Sequence, residues 1–142
     1  MTEAELRDGM AMLENAKAQL DALAKQQQLI QLAIEEHVRA RETIKKVTVG
    51  APGDDILIPI GADSYIYAKI TDRRDGVVGV GSGVSIQRKP EDAEKFLDGK
   101  IDELTQVFKK VADRASQTEA MVEELSAKLE DMYAKMQSAQ SG

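Results

Sequence analysis

The side chains able to do chemistry in this chain are few and scattered. His37 is the only histidine and there is no cysteine, so acid–base work near neutrality would rest on one imidazole, while disulfides and cysteine-ligated metals are excluded. His37 lies among Glu35, Glu36 and Arg39, a setting that reads as the exposed face or seam edge of a helix and not as a base or ligand. Glu35-Glu36 and Glu123-Glu124 are adjacent pairs, which diverge by about 100° on a helix and cannot share a substrate proton; Asp54-Asp55 is likewise a solvating pair. The string Gly79-Val80-Gly81-Ser82-Gly83 suggests a phosphate cradle, yet Val84 stands where a dinucleotide fingerprint needs its third glycine, and no Gly-Lys-Ser/Thr follows. An apolar strand comes next instead of a helix N-terminus that would hold the anion, so these glycines read as a hairpin turn. No enzyme, no cofactor and no metal site are expected.

The elements around these residues explain the lack of a site. From Leu97 the residues Ile101, Leu104, Phe108, Val111, Ala115, Thr118, Val122, Leu125, Leu129, Met132 and Met136 recur at alternating steps of four and three. Only Thr118 is polar. A 3.5-residue repeat held this long is a coiled-coil seam, because a straight helix would turn the stripe away from a partner by roughly 20° per heptad. At about 1.5 Å per residue it is about 60 Å long. The N-terminal segment carries Leu6, Met10, Leu13, Ala16, Leu20 and Leu23, then Ile30, Ile34, Val38 and Ile44 in what reads as a drifted phase, with Gln26-Gln27-Gln28 between them as a local stutter or a weakened stretch of packing. Thr2 and Glu5 have the spacing of a capping box. Pro90, followed by Glu91 and Asp92, starts the second helix.

All three prolines and seven of the ten glycines fall between Gly50 and Pro90. Within that stretch Ile56–Ile60 and Ser64–Ile70 read as strands around Gly61-Ala62-Asp63, and Val77–Val80 and Val84–Gln87 as strands around Gly81-Ser82-Gly83. Pro59 has no N–H and makes the first strand an edge there. Two isolated hairpins are marginal and leave unpaired donors and acceptors, so they are expected to pair with those of other subunits in a composite barrel. The predicted fold is therefore α+β: a long antiparallel helical hairpin, or coiled coil, with two central β-hairpins that assemble into an intersubunit β-barrel. One domain spans 1–142, with helices over 1–46 and 90–138, hairpins over 47–89 and a flexible tail over 139–142. Ile56, Ile58, Ile60, Tyr65, Ile66, Val78, Val80, Val84 and Ile86 are the candidate oligomerisation residues.

Charged residues make up 31% of the chain and aromatic ones 4%, which suits solvated helix faces and not a globular core. The net charge of −6 sits almost wholly after residue 90, where 12 acidic and 7 basic side chains lie. Such a surface repels phosphate backbones, so nucleic acid is not an expected partner. No apolar run approaches the ~18 residues of a membrane span. Thr2-Glu3-Ala4-Glu5 is acidic where a secretory leader is basic, and the chain is expected in the cytoplasm, away from membranes. Antiparallel pairing brings the two ends together, so Leu6, Met10, Leu13, Leu129, Met132, Tyr133 and Met136 form the candidate binding surface. Flexible, polarisable methionines suit varied apolar partners.

Ile58-Pro59-Ile60-Gly61-Ala62-Asp63-Ser64-Tyr65-Ile66 resembles the first hairpin (VPLG…YV) of the prefoldin alpha-subunit family in its archaeal form, and residues 77–86 resemble its second (VLVDVGTGYFVE). Glu91-Asp92-Ala93 through Leu104 matches the start of its second helix, and Gly79 departs from the aspartate often found there. The resemblance covers essentially the whole chain. It implies a hetero-hexamer of two alpha and four beta subunits, in which the tips of the coiled coils capture unfolded client proteins and deliver them to a group II chaperonin without nucleotide. The alternative is a structural coiled-coil adaptor that holds no client.

Overall fold

In the computed structural model, which describes residues 2–141, two helices enclose four strands in chain order: α1 (Glu3–Val49), β1 (Asp55–Gly61), β2 (Ser64–Lys69), β3 (Gly76–Gly81), β4 (Val84–Arg88) and α2 (Pro90–Ser141). The chain forms two units. A terminal unit joins residues up to 31 with those from 107 onward, and a central unit spans 32–106. α2 runs through Ser141, so residues 139–141, expected as a flexible tail, are helical, and the last of that tail, Gly142, lies outside the described residues.

At the start of α1, Thr2 Oγ1 accepts the Glu5 backbone N–H at 3.2 Å, one half of the expected capping box. In the terminal unit the buried side chains are Ala16 and Leu23 of α1 and Val111 and Leu129 of α2. Only the facing helix can cover them there. Gly9 sets the spacing: a Cβ at this position would lie 2.7 Å from Leu129 Cδ2, so the missing side chain is a notch that Leu129 fills. Every residue of the α2 stripe from Leu97 to Met136 is buried or half-buried, as its heptad spacing demands.

The α1 seam is more regular than its sequence suggests. Its covered positions recur as Leu6, Gly9, Leu13, Ala16, Leu20, Leu23, Gln27, Ile30, Ile34, His37, Arg41, Ile44 and Thr48, an unbroken heptad series. The stutter expected at Gln26-Gln27-Gln28 is absent: Gln27 occupies a seam position itself, and its neighbours point to solvent. The expected phase drift beyond Ile30 has the same cause, since His37 and Arg41 hold core places that an apolar count skips. Each is satisfied there. His37 Nδ1 donates to the Ala33 carbonyl at 2.7 Å, and Arg41 donates to Asp98 of α2 at 3.2 Å and to Glu42 at 3.2 Å. Those bonds, to Asp98 foremost, raise the Arg41 pKa above its ordinary value.

In the central unit, α1 ends at Val49, and the carbonyl of the next residue, Gly50, accepts from Arg74 Nη1 at 3.0 Å. Ala51-Pro52-Gly53-Asp54 is a tight turn closed by Asp54 N–H on the Ala51 carbonyl at 3.0 Å, with Gly53 at φ 92° in a region open to glycine. Gly53 N–H donates to Ile70 O, and Ile70 N–H to Asp54 O, which ties the turn to the end of β2. Ile70 is buried over Gly50, where a Cβ would collide with its Cδ1. Gly76 places the start of β3 within reach of both helices, 3.5 Å from Ala93 Cβ and 3.8 Å from Ile44 Cδ1 for an added Cβ.

The hairpins share one construction. β1 pairs with β2 and β3 with β4, antiparallel and as separate two-stranded sheets. Each has a two-residue turn with both residues at positive φ, Ala62-Asp63 and Ser82-Gly83, the form whose twist matches paired strands. A register shift precedes each turn, between Pro59 and Gly61 and between Gly79 and Gly81.

The two helical glycines give opposite expectations. Gly99 has open space around an added Cβ, so Gly99→Ala should raise stability by about 1 kcal/mol through helix propensity. Gly9→Ala has the same propensity gain but must displace buried Leu129, and it should fall short of Gly99→Ala by about 1 kcal/mol or more. Thermal unfolding followed by circular dichroism at fixed protein concentration distinguishes the two.

Candidate functional site

The terminal unit carries a groove of about 430 Å³ between its two helical segments, lined by Leu6, Met10, Leu13 and Lys17 of α1 and Ser126, Leu129, Glu130 and Tyr133 of α2. Five of the seven residues expected at the binding surface meet here. They differ in how much they offer. Met10 is 54% and Tyr133 55% exposed, whereas Leu129 is only 8% exposed because it is seated at Gly9. Leu6 and Leu13 are half-buried. Leu129 is thus the floor of the groove, and Met10 and Tyr133 are its walls. The Tyr133 hydroxyl accepts from Gln137 Nε2 at 2.9 Å, which fixes the ring's polar end away from the apolar floor. Met132 and Met136 lie off the groove, half-buried along the α2 stripe.

Apolar periodicity did not single out Lys17, Ser126 and Glu130 as groove residues. They flank the seam at positions that polar residues commonly occupy, and only the pairing register brings them to the rim. Met12, 59% exposed, is beside the groove in sequence but does not line it.

The central unit holds the second set. Of the nine expected oligomerisation residues, Ile56 and Val78 are 8% and 4% exposed, already largely covered by their own chain. Ile56, Ile58 and Ala68 line a cleft of about 250 Å³ with Thr43, Ile44 and Val47 of α1. Ile58, Val80 and Ile86 are half-buried, and Ile60, Tyr65, Ile66 and Val84 are exposed. The register divides the first hairpin into two faces. Ile56 opposite Ala68 and Ile58 opposite Ile66 form one; Leu57 opposite Tyr67 and Pro59 opposite Tyr65 form the other. Leu57 and Tyr67 are 43% and 76% exposed and were not among the expected residues. The fixed two-residue turn would have revealed them, since it sets which residues face each other. A ribbon apolar on both faces is suited to burial on both.

Among the described residues no group of three or more His, Cys, Asp or Glu side chains could hold a metal ion, and no helix is long and apolar enough to cross a membrane. The ion pairs Lys69–Asp55, Lys25–Asp21 and Lys135–Asp131 are exposed and contribute little to stability.

Paired helical segments with an apolar groove, joined to two small hairpins whose apolar faces a single chain leaves uncovered, define an assembly subunit of the α+β class. The chain belongs to the prefoldin family, whose subunit model matches residues 16–141, and is thus a prefoldin chaperone subunit. It is similar to the prefoldin subunit alpha of Methanoculleus marisnigri, 32% identical over 124 residues that cover 87% of this chain and 83% of that one. The prefoldin subunit alpha of Pyrococcus horikoshii is 32% identical over 122 residues, covering 84% and 81%. The fold is shared with a cryo-EM structure of filamentous PFD from Methanocaldococcus jannaschii, TM-score 0.62 at 22% identity, covering 81% of this chain and 95% of that one. The crystal structure of the prefoldin beta subunit from Thermococcus strain KS-1 gives 0.60 at 15%, covering 90% and 91%.

Floor and wall should separate on substitution. Leu129→Ala is expected to lower stability by about 2 to 3 kcal/mol, since it empties a buried site, whereas Met10→Ala should change stability by less than about 1 kcal/mol. Binding of an apolar fluorescent dye should nevertheless fall in Met10→Ala while helicity is kept.

Proposed function

We propose that this chain is the alpha-type subunit of a cytoplasmic hetero-hexamer of two alpha and four beta subunits, which holds unfolded proteins and passes them to a group II chaperonin without nucleotide or metal. The observation that carries the holding role is the groove of the terminal unit, where Leu6, Met10, Leu13, Leu129 and Tyr133 offer apolar surface with adaptable side chains. A client side chain buried there gains about 1.5 to 3 kcal/mol. Such contacts are individually weak, and several subunits acting on one client supply avidity. Met132 and Met136 extend the same apolar stripe and belong to the proposed client surface.

Assembly is assigned to the hairpins. Ile60, Tyr65, Ile66 and Val84 are the exposed members of the set and Ile58, Val80 and Ile86 the half-buried ones; Leu57 and Tyr67 add to them from the face of the first hairpin opposite Ile58 and Ile66. The unpaired strand edges support the same role, because an exposed edge is a template for a further strand.

Two experiments test this reading. Removing about the first and last dozen residues should abolish suppression of aggregation of a denatured protein, while sedimentation still finds the oligomer with beta subunits; full activity after truncation favours the passive adaptor. Ile66→Asp should dissociate the oligomer with far-ultraviolet helicity unchanged, because it would bury an unpaired charge between subunits. An intact Ile66→Asp oligomer assigns assembly to the helices.

A further inference from the structure

The chain contains six methionines and no cysteine, so its thioethers are its only sulfur targets for oxidants. Their settings differ. Met10, Met12 and Met121 are 54%, 59% and 52% exposed, while Met132 and Met136 are half-buried on the α2 stripe. Of these three, the exposed methionines among the described residues, Met10 alone lines the groove, beside Leu6, Leu13 and Leu129. We propose that Met10 is an oxidation site through which a two-electron oxidant of the peroxide class switches the groove off. The inference rests on the holding role assigned to that groove.

The chemistry balances without a cofactor. The Met10 sulfide attacks one peroxide oxygen, the O–O bond breaks, the sulfur is oxidised by two electrons to the sulfoxide, and the other oxygen leaves as water. Reduction by a methionine sulfoxide reductase with a dithiol returns the sulfide, releasing water and a disulfide. The product is a strongly polar S=O group above an apolar floor formed by Leu6, Leu13 and Leu129. Free, it is hydrated by solvent; under a bound apolar segment it must shed that water, and burial of an unpaired polar group weakens binding on the order of tenfold. Oxidation at Met12 or Met121 puts the same group outside the groove, where it stays hydrated whether or not a client is bound. Met10, Met12 and Met121 thus divide into one reporter and two internal controls.

The test oxidises the full chain with hydrogen peroxide, quenches it, assembles it with unoxidised beta subunits and measures suppression of client aggregation, each protein being compared with its own unoxidised form. Peptide mapping by mass spectrometry follows each methionine. Wild type should lose holding on the order of tenfold as Met10 becomes sulfoxide, and sulfoxide reductase should restore it. Met10→Leu should resist the oxidant, since Leu is close in volume and cannot be oxidised, whereas Met12→Leu should remain as sensitive as wild type. The proposal is overturned if oxidised Met10→Leu loses as much holding as wild type, if Met10 stays unoxidised while Met12 reacts, or if Met10 is mapped as sulfoxide and holding is unchanged. Leu6→Asp, with helicity and oligomer checked, tests the groove itself. Loss of holding there combined with indifference to oxidation sinks the redox proposal and leaves the groove reading intact; full holding in Leu6→Asp sinks both.

Discussion

The structure depends on mutual burial of two apolar stripes, one on each helix. Neither α1, 47 residues, nor α2, 52 residues, has an apolar surface that closes on itself, and most helical stability in proteins comes from packing of an amphipathic face. The contact at Gly9 and Leu129 shows how this burial also makes a site. By removing a side chain from one helix, it draws a leucine of the other inward, and the surface left above that leucine becomes a groove. The same two residues thus contribute to pairing and to the hollow that pairing leaves open.

Polar residues on the seam give the pairing its particularity. Arg41 on α1 reaches Asp98 on α2 within the central unit, and His37 turns its Nδ1 back to its own helix at Ala33. No buried polar or charged side chain occurs among the described residues, so these groups are held at half-burial, where water still reaches them and an unfavourable desolvation is avoided. Arg41 can meet this demand because its stem is apolar and its head can stay wet.

This explains what was legible in the sequence. The α2 stripe was read residue for residue, since all its members but Thr118 are apolar, and the strands were found to within about a residue because glycine, proline and β-branched side chains mark their ends. The α1 phase was misread because Gln27, His37 and Arg41 stand at seam positions where an apolar count sees gaps. The candidate groove was legible in its apolar members, through the antiparallel argument, and illegible in Lys17, Ser126 and Glu130, whose place depends on helix rotation. That Ile56 and Val78 serve their own chain was also out of reach, since an alternating strand shows which residues share a face and not what covers it.

The small number of deeply covered side chains bears on how the chain responds to heat. Nine hydrophobic side chains are buried among the described residues, and none of the large ones is wholly enclosed. The heat capacity change of unfolding grows with the apolar area brought out of the interior, so a single chain has a shallow dependence of stability on temperature. In the assembly role proposed for the hairpins, their exposed apolar faces leave water only when chains associate. For such a molecule the curvature of the stability profile is a property of the assembly, and its midpoint moves with protein concentration by mass action.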